Sequence, residues 1–218
     1  MCGRINLSDH KGIQQLLSRL GIKLDESSFI PRHNIAPGAD IPAAFSSDTI
    51  DLAYMHWGIA PHWARNKPGA RPLINARIET ALEKPSFRQL MRNNRAIIPV
   101  NGFYEWRRTN TQKTPYYIDS AEYEALALAG IFQITPEGTL EVAILTKEGT
   151  GMMASIHHRM PVLLTYDSMT SWLAPQTDDA IMNLLIAQKE PGLRLIQVSS
   201  YVNNTANEGA ACIRPVAA

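Results

Sequence analysis

No stretch of the 218-residue sequence approaches the roughly 18 consecutive apolar residues that a membrane-spanning helix needs. The opening Met1-Cys2-Gly3-Arg4-Ile5-Asn6 has no apolar segment of the kind a secretory signal requires, so a cytoplasmic protein is expected. Cysteine is scarce: Cys2 and Cys212 stand at opposite ends of the chain. A reducing compartment argues against a disulfide between them. Neither has a second cysteine or a histidine at zinc-ligand spacing, and the six histidines are scattered apart from His157-His158. No metal and no cofactor is implied. Linkers, low-complexity runs and internal repeats are also missing, and Gly and Pro are spread throughout. With 45% hydrophobic and 19% charged residues, the expectation is one soluble compact domain over residues 1–218.

The net charge of +1 conceals an uneven distribution. Between Trp57 and Lys113 lie eleven basic residues (Arg65, Lys67, Arg71, Arg77, Lys84, Arg88, Arg92, Arg95, Arg107, Arg108 and Lys113) against Glu79, Glu83 and Glu105. That segment therefore carries +8 and the remainder −7. An anion-binding face would produce this asymmetry. Acidic neighbours brought in by the fold would neutralise it.

The hydrophobic pattern is mostly that of short strands and turns. Strands are predicted at Ile41–Phe45, Asp51–Trp57, Arg95–Val100, Pro115–Asp119, Leu126–Ile134, Glu141–Thr146, Met160–Leu164 and Leu193–Val198. Turns at Ser47-Asp48 and Pro136-Glu137-Gly138 make hairpins of two pairs. Ser8 is placed to cap a helix with Ile13, Leu16, Leu17 and Leu20 on one face and Gly21 as terminator. A second helix is predicted from Pro85, with Phe87, Leu90 and Met91 inward, and two more near Met169–Leu173 and Asp178–Gln188. This is an α+β pattern: a curved, largely antiparallel, barrel-like sheet with a few peripheral helices. No strand–helix alternation and no glycine-rich phosphate loop supports a nucleotide-binding α/β fold.

Cys2 becomes the terminal residue if the initiator methionine is removed, which its small side chain permits. It would then carry an α-amine titrating near ~7.7–8.0 and a thiol near ~8.5, both partly reactive at neutral pH. That pair suits an aldehyde: the amine condenses to an imine and the thiol closes a thiazolidine. Without other motifs, an ordinary second residue explains Cys2 as well. Glu105, in Gly102-Phe103-Tyr104-Glu105-Trp106, is flanked by aromatics and would hold a proton near neutrality in an apolar pocket. A solvent-facing strand end is the plainer alternative. Asn75 and Arg77 are two apart, so extended backbone puts amide and guanidinium on one face. His157 precedes a predicted strand and is a candidate acid–base imidazole. Trp57, Trp63, Trp106 and Tyr104 interleave with arginines as single-strand binding requires; core packing is the expectation for Trp57 and Tyr104.

Taken together, Cys2-Gly3-Arg4, Asn34-Ile35-Ala36-Pro37, Trp57-Gly58, Leu73-Ile74-Asn75-Ala76-Arg77 with Glu79-Thr80, Lys84-Pro85-Ser86-Phe87, Gly102-Phe103-Tyr104-Glu105-Trp106, His157 with Arg159-Met160-Pro161, and Val202-Asn203-Asn204 resemble, in order, the SRAP (SOS response-associated peptidase) family of HMCES-like abasic site processing proteins. The resemblance runs from Cys2 to about Pro215. It implies capture of abasic sites in single-stranded DNA by a nucleoid-associated monomer, with no metal and no membrane. It also implies a catalytic set: Cys2 forms the thiazolidine, Glu105 opens the deoxyribose and shuttles protons, Asn75 holds the sugar, and His157 assists imine chemistry and reversal. The implied DNA contacts are Arg4, Arg77 and Arg159 on phosphates, Trp63 stacked on a base and Pro37 where a duplex is interrupted, with Asn34, Trp106 and Thr146 beside them. The sequence departs from the pattern at His33, where a tyrosine is expected, at His158, and at Thr205-Ala206-Asn207-Glu208-Gly209, which lacks a basic residue.

Two other readings stand beside this one: a cysteine peptidase or amidohydrolase of N-terminal-nucleophile type, and a non-catalytic single-strand binding module. Strand cleavage by β-elimination through the imine, and removal of the protein's own leading residue, are compatible with the first mechanism.

Overall fold

The computed structural model describes residues 2–61, 65, 67, 69–187 and 191–216. In chain order the elements are β1 (Ile5–Leu7), α1 (His10–Ser18), β2 (Arg32–Ile35), β3 (Asp40–Ser46), β4 (Ile50–Trp57), β5 (Asn75–Arg77), α2 (Ile78–Ala81), α3 (Arg88–Asn93), β6 (Arg95–Val100), β7 (Gly102–Arg108), β8 (Lys113–Ser120), β9 (Leu126–Ile134), β10 (Leu140–Glu148), β11 (Arg159–Pro161), β12 (Leu163–Leu164), α4 (Met169–Leu173), α5 (Asp178–Ala187) and β13 (Leu193–Gln197). The α+β class is as expected, but the strands divide into two sheets. One has the order β13-β8-β7-β1-β2. The other runs β10-β4-β3-β6-β9 and closes on itself through the β9–β10 pair.

Closure explains the small residues along this ring, since few strands leave little room inside. A side chain at Gly130 on β9 would place its Cβ 2.3 Å from Ile98 Cδ1, and Ala43, Ala44, Ala96, Ala129 and Ala143 are all buried. β10 is the hub. One of its edges pairs in parallel with β4 at Glu141–Val142 and then with β5 at Ile144–Thr146. The other pairs antiparallel with β9 and then with β11.

The local predictions succeed where periodicity is long and fail where chemistry competes. Ile13, Leu16, Leu17 and Leu20 are buried along and just beyond α1. Its cap, however, is Asp9, whose carboxylate accepts from Lys11 N and Gly12 N; the Ser8 hydroxyl donates to Asn6 Oδ1 instead. Pro85 lies in a turn, and α3 starts only at Arg88. The strand expected over Met160–Leu164 is two strands, with Val162 bonding to Leu145 and Ala129 across the gap. β1, β2, β7 and α2 were not foreseen. They are too short for periodicity to show or, like β7, mix aromatic and charged residues without alternation.

Trp57 and Tyr104 are fully buried, as expected. Tyr104 belongs to a satellite cluster with Tyr117, Val198, Val202 and Cys212, which packs the C-terminal segment onto the first sheet. Trp63 lies outside the described residues. Among the described residues no helix is long and apolar enough to cross a membrane.

Candidate functional site

Cys2 is fully buried just ahead of β1 and packs into the main core. Asn75, on β5 in the ring sheet, donates from Nδ2 to the Cys2 carbonyl at 2.8 Å. This single bond ties the start of the chain to the opposite sheet. The other end of the amide, Asn75 Oδ1, is buried with no hydrogen-bond partner among the described residues. A buried unpaired carbonyl oxygen costs about 1–3 kcal/mol, which a bound donor would recover. Extended backbone does place Arg77 on the same face, and it is exposed.

Glu105 enters from β7 and is buried. Burial raises its carboxyl to about 7. Burial, reinforced by the charge of Glu105, pushes the Cys2 thiol up to about 12. Across from Glu105, His157 Nε2 lies 3.7 Å from Glu105 Oε1. Desolvation lowers the His157 imidazole below its ordinary range. Its Nδ1 serves either protonation state: it can accept from Arg159 N at 3.0 Å, or donate to Arg159 O at 3.1 Å. Burial thus favours the neutral forms of acid, imidazole and thiol alike, and of the three the carboxyl at about 7 is matched to proton exchange near neutrality.

Glu105 and His157 open on a cleft of about 410 Å³ lined also by Ile74, Arg77, Trp106, Arg108, Lys113 and His158, while Cys2 lies buried outside this lining. A second cavity of about 560 Å³ shares Trp106, Arg108, His157 and His158 with it and adds Arg107 and Ser155. Lys113 Nζ sits 4.7 Å from the Trp106 ring centroid and Arg4 Cζ 5.6 Å. The indole N–H donates to Asn203 Oδ1 at 2.7 Å. The charge asymmetry is thereby resolved into parts. Arg65 pairs with Glu137 and Glu141, and Arg92 with Asp178. Arg95 donates to the terminal carbonyls of α3 and α4, at Met91, Arg92, Trp172 and Ala174. Arg77, Arg108 and Lys113 remain for the cleft. Among the described residues no group of His, Cys, Asp and Glu side chains could hold a metal ion.

The other expected DNA contacts hold up the walls. Arg4 donates from Nη1 to Asn34 Oδ1 at 2.5 Å and to Val202 O at 2.8 Å. Asn34 donates in turn to the carbonyls of Val202, Asn204 and Asn207, clamping the segment that carries Asn203. Arg159 grips Glu79 through two bonds of 2.6 and 2.9 Å and donates to Thr146 O at 2.6 Å. Asn34 and Thr146 have no exposed surface, and Arg4 and Arg159 less than a tenth of theirs. Pro37 is half-buried in the turn between β2 and β3, away from the cleft lining. Four residues here were given no site role from sequence: Arg108 and Lys113, His158, noted only as a departure from the pattern, and Asn203, quoted only within a motif. The first two were only part of a charge count, because nothing local distinguishes the basic residues that meet a cleft from those that meet a carboxylate.

The profile for "SOS response associated peptidase (SRAP)" matches residues 1–205. The Bacillus subtilis abasic site processing protein YoqW is 34% identical over 217 residues, covering 95% of this chain and 96% of its own. The Escherichia coli abasic site processing protein YedK is 30% identical over 230 residues, covering 99% and 100%. Among solved structures, a Bacteroides thetaiotaomicron protein shares the fold with a TM-score of 0.82 at 24% identity, covering 99% of this chain and 100% of its own. The chain belongs to the SRAP family.

Proposed function

We propose that this protein is an abasic-site sensor: it binds single-stranded DNA and, once Met1 is removed, bonds covalently to the open sugar of an abasic site through Cys2. The observation that supports the reading is a chain of neighbours leading from buried Cys2 to the cleft. The Asn75 amide touches the Cys2 backbone, the Glu105 carboxyl is held near neutrality, and His157 faces that carboxyl at the floor of a cationic cleft.

Asn75 Oδ1 accepts a hydroxyl of the ring-opened sugar. The Cys2 amine attacks the aldehyde carbon, and Glu105 delivers the proton with which water leaves, giving the imine. The thiol then adds to the imine carbon, its proton passing to the nitrogen, and the thiazolidine closes. His157 relays protons in both directions. Arg77, Arg108 and Lys113 follow phosphates while Trp106 offers a ring to a base. The protein works as a cytoplasmic, nucleoid-associated monomer over its single domain. Strand scission by β-elimination competes with thiol closure at the imine. Burial raises the Cys2 thiol, so thiazolidine closure and the hydrolase alternative alike need the thiol to give up its proton to a neighbouring base as it attacks.

The test is to incubate purified protein, its leading residue checked by intact mass, with a single-stranded oligonucleotide bearing one abasic site. A denaturation-resistant adduct of the expected mass supports the reading, and Cys2→Ala abolishes it. Equal binding of intact and abasic oligonucleotides with no covalent product would leave only a binding module. Cys2-dependent turnover of a peptide or amide without adduct would favour the hydrolase.

A further inference from the structure

His158 takes no part in the chemistry above, yet its ring borders both cavities. Its centroid lies 4.3 Å from that of His157, the planes tilted by 32°. The residue is exposed, and among the described residues its ring nitrogens have no hydrogen-bond or ion-pair partner. Its backbone is fixed all the same: Gly149 N donates to its carbonyl at 2.9 Å. The titratable and charged groups that face it across the cavities are Arg77 from β5, Glu105, Arg107 and Arg108 from β7, Lys113 from β8, and His157 beside it. Glu105 is buried with its carboxyl towards His157. Apart from Glu105 and His157, the groups around His158 are cationic, which suits an anion in the two cavities.

We propose that His158 is a proton-dependent phosphate contact, which takes up a proton as the backbone of the bound strand enters the cleft and releases it as the strand leaves. The inference rests on the single-stranded DNA reading above. Imidazoles titrate close to physiological pH, and a phosphate oxygen at hydrogen-bond distance favours the charged form.

The experiment is a fluorescence-anisotropy titration of an intact single-stranded oligonucleotide, without an abasic site, at pH 5.5 and pH 8 over a range of salt. The full chain is compared with His158→Gln and His158→Arg. For the wild type, affinity at pH 5.5 exceeds that at pH 8 by more than for His158→Gln, the excess being about five- to tenfold. The salt slope of the wild type at pH 5.5 is steeper than that of His158→Gln by about 0.7, the share of one phosphate on a single strand. His158→Arg keeps the steeper slope at both pH values. If His158→Gln retains the full wild-type pH difference, the dependence belongs to Glu105 or His157 and the proposal is overturned. If no protein binds the oligonucleotide at either pH, the nucleic-acid reading itself falls, a result distinguishable because binding is then lost altogether.

Discussion

His157 Nε2 stands 3.7 Å from Glu105 Oε1, bringing an imidazole from the segment entering β11 against a carboxyl from β7. The two sheets meet chemically here. The distance is longer than a good hydrogen bond, and an approach of less than about 1 Å would let a proton pass directly between them.

Glu105 carries a pH signature. Its carboxyl titrates at about 7 in the folded protein and near ~4.3 unfolded. The folded state therefore binds the proton more tightly, and stability falls as pH rises between those values. Glu105→Gln removes this penalty. Urea unfolding should find the variant more stable than wild type at pH 8, by on the order of 2–3 kcal/mol, with the gap closing towards pH 4. A variant less stable than wild type at pH 8 would mean that the carboxylate is held charged by its partners. The rate of adduct formation by Glu105→Gln should lose the inflection near pH 7 that wild type shows.

The Glu79–Arg159 pair has the opposite pH behaviour. Hydrogen bonds from Arg159 hold the Glu79 carboxyl below its usual range. Its contribution to stability is therefore present above the ordinary carboxylate range and lost as pH falls through the lowered value. Glu79 is nearly half exposed while Arg159 is buried. Screening reduces the strength of the pair, but Glu79→Gln leaves a buried guanidinium short of charge. A loss of about 1–2 kcal/mol at pH 7, vanishing in acid, is expected from unfolding curves.

Gly149 controls His157 without touching any ligand. A Cβ at this position would lie 2.4 Å from His157 O and 3.3 Å from His158 C. Both are backbone atoms, so the histidine segment must move. Displacement by about 1 Å can cost 10²-fold in a positioned reaction, and overpacking costs about 1–3 kcal/mol of stability. Adduct formation by Gly149→Ala should slow by at least roughly tenfold, while circular dichroism shows a folded protein. An unchanged rate would show that His157 has no positioned role.

The strands of the ring were legible in the sequence because most are runs rich in apolar residues bounded by turns. Even the hairpin at Ser47-Asp48 joins β3 to β4 as expected. The extended backbone at Asn75–Arg77, which carries two residues of the implied set, could also be read locally, as could the burial of Trp57 and Tyr104. Ser8 and Pro85 misled because a capping oxygen or a first-turn proline is compatible with several neighbouring starts. Asp9 won the cap with two backbone N–H groups, and Pro85 was drawn into a turn.

By itself the sequence determined which residues could react, since the amine, thiol, carboxyl and imidazole are properties of residue types and their order along the chain. Only the tertiary structure decided how they behave. Ring closure brings β5 and β11 alongside β10, and the second sheet lays Glu105 against them. The burial that raises the Glu105 carboxyl and the Cys2 thiol comes from residues far away in the chain. The same is true of charge. Composition counted eleven cations in one segment, but the fold pairs Arg65 with Glu137 and Glu141 and Arg92 with Asp178, and sets Arg77, Arg108 and Lys113 in the cleft lining. Desolvation and Coulomb energy depend on distance through space, and no local pattern of residues encodes that distance.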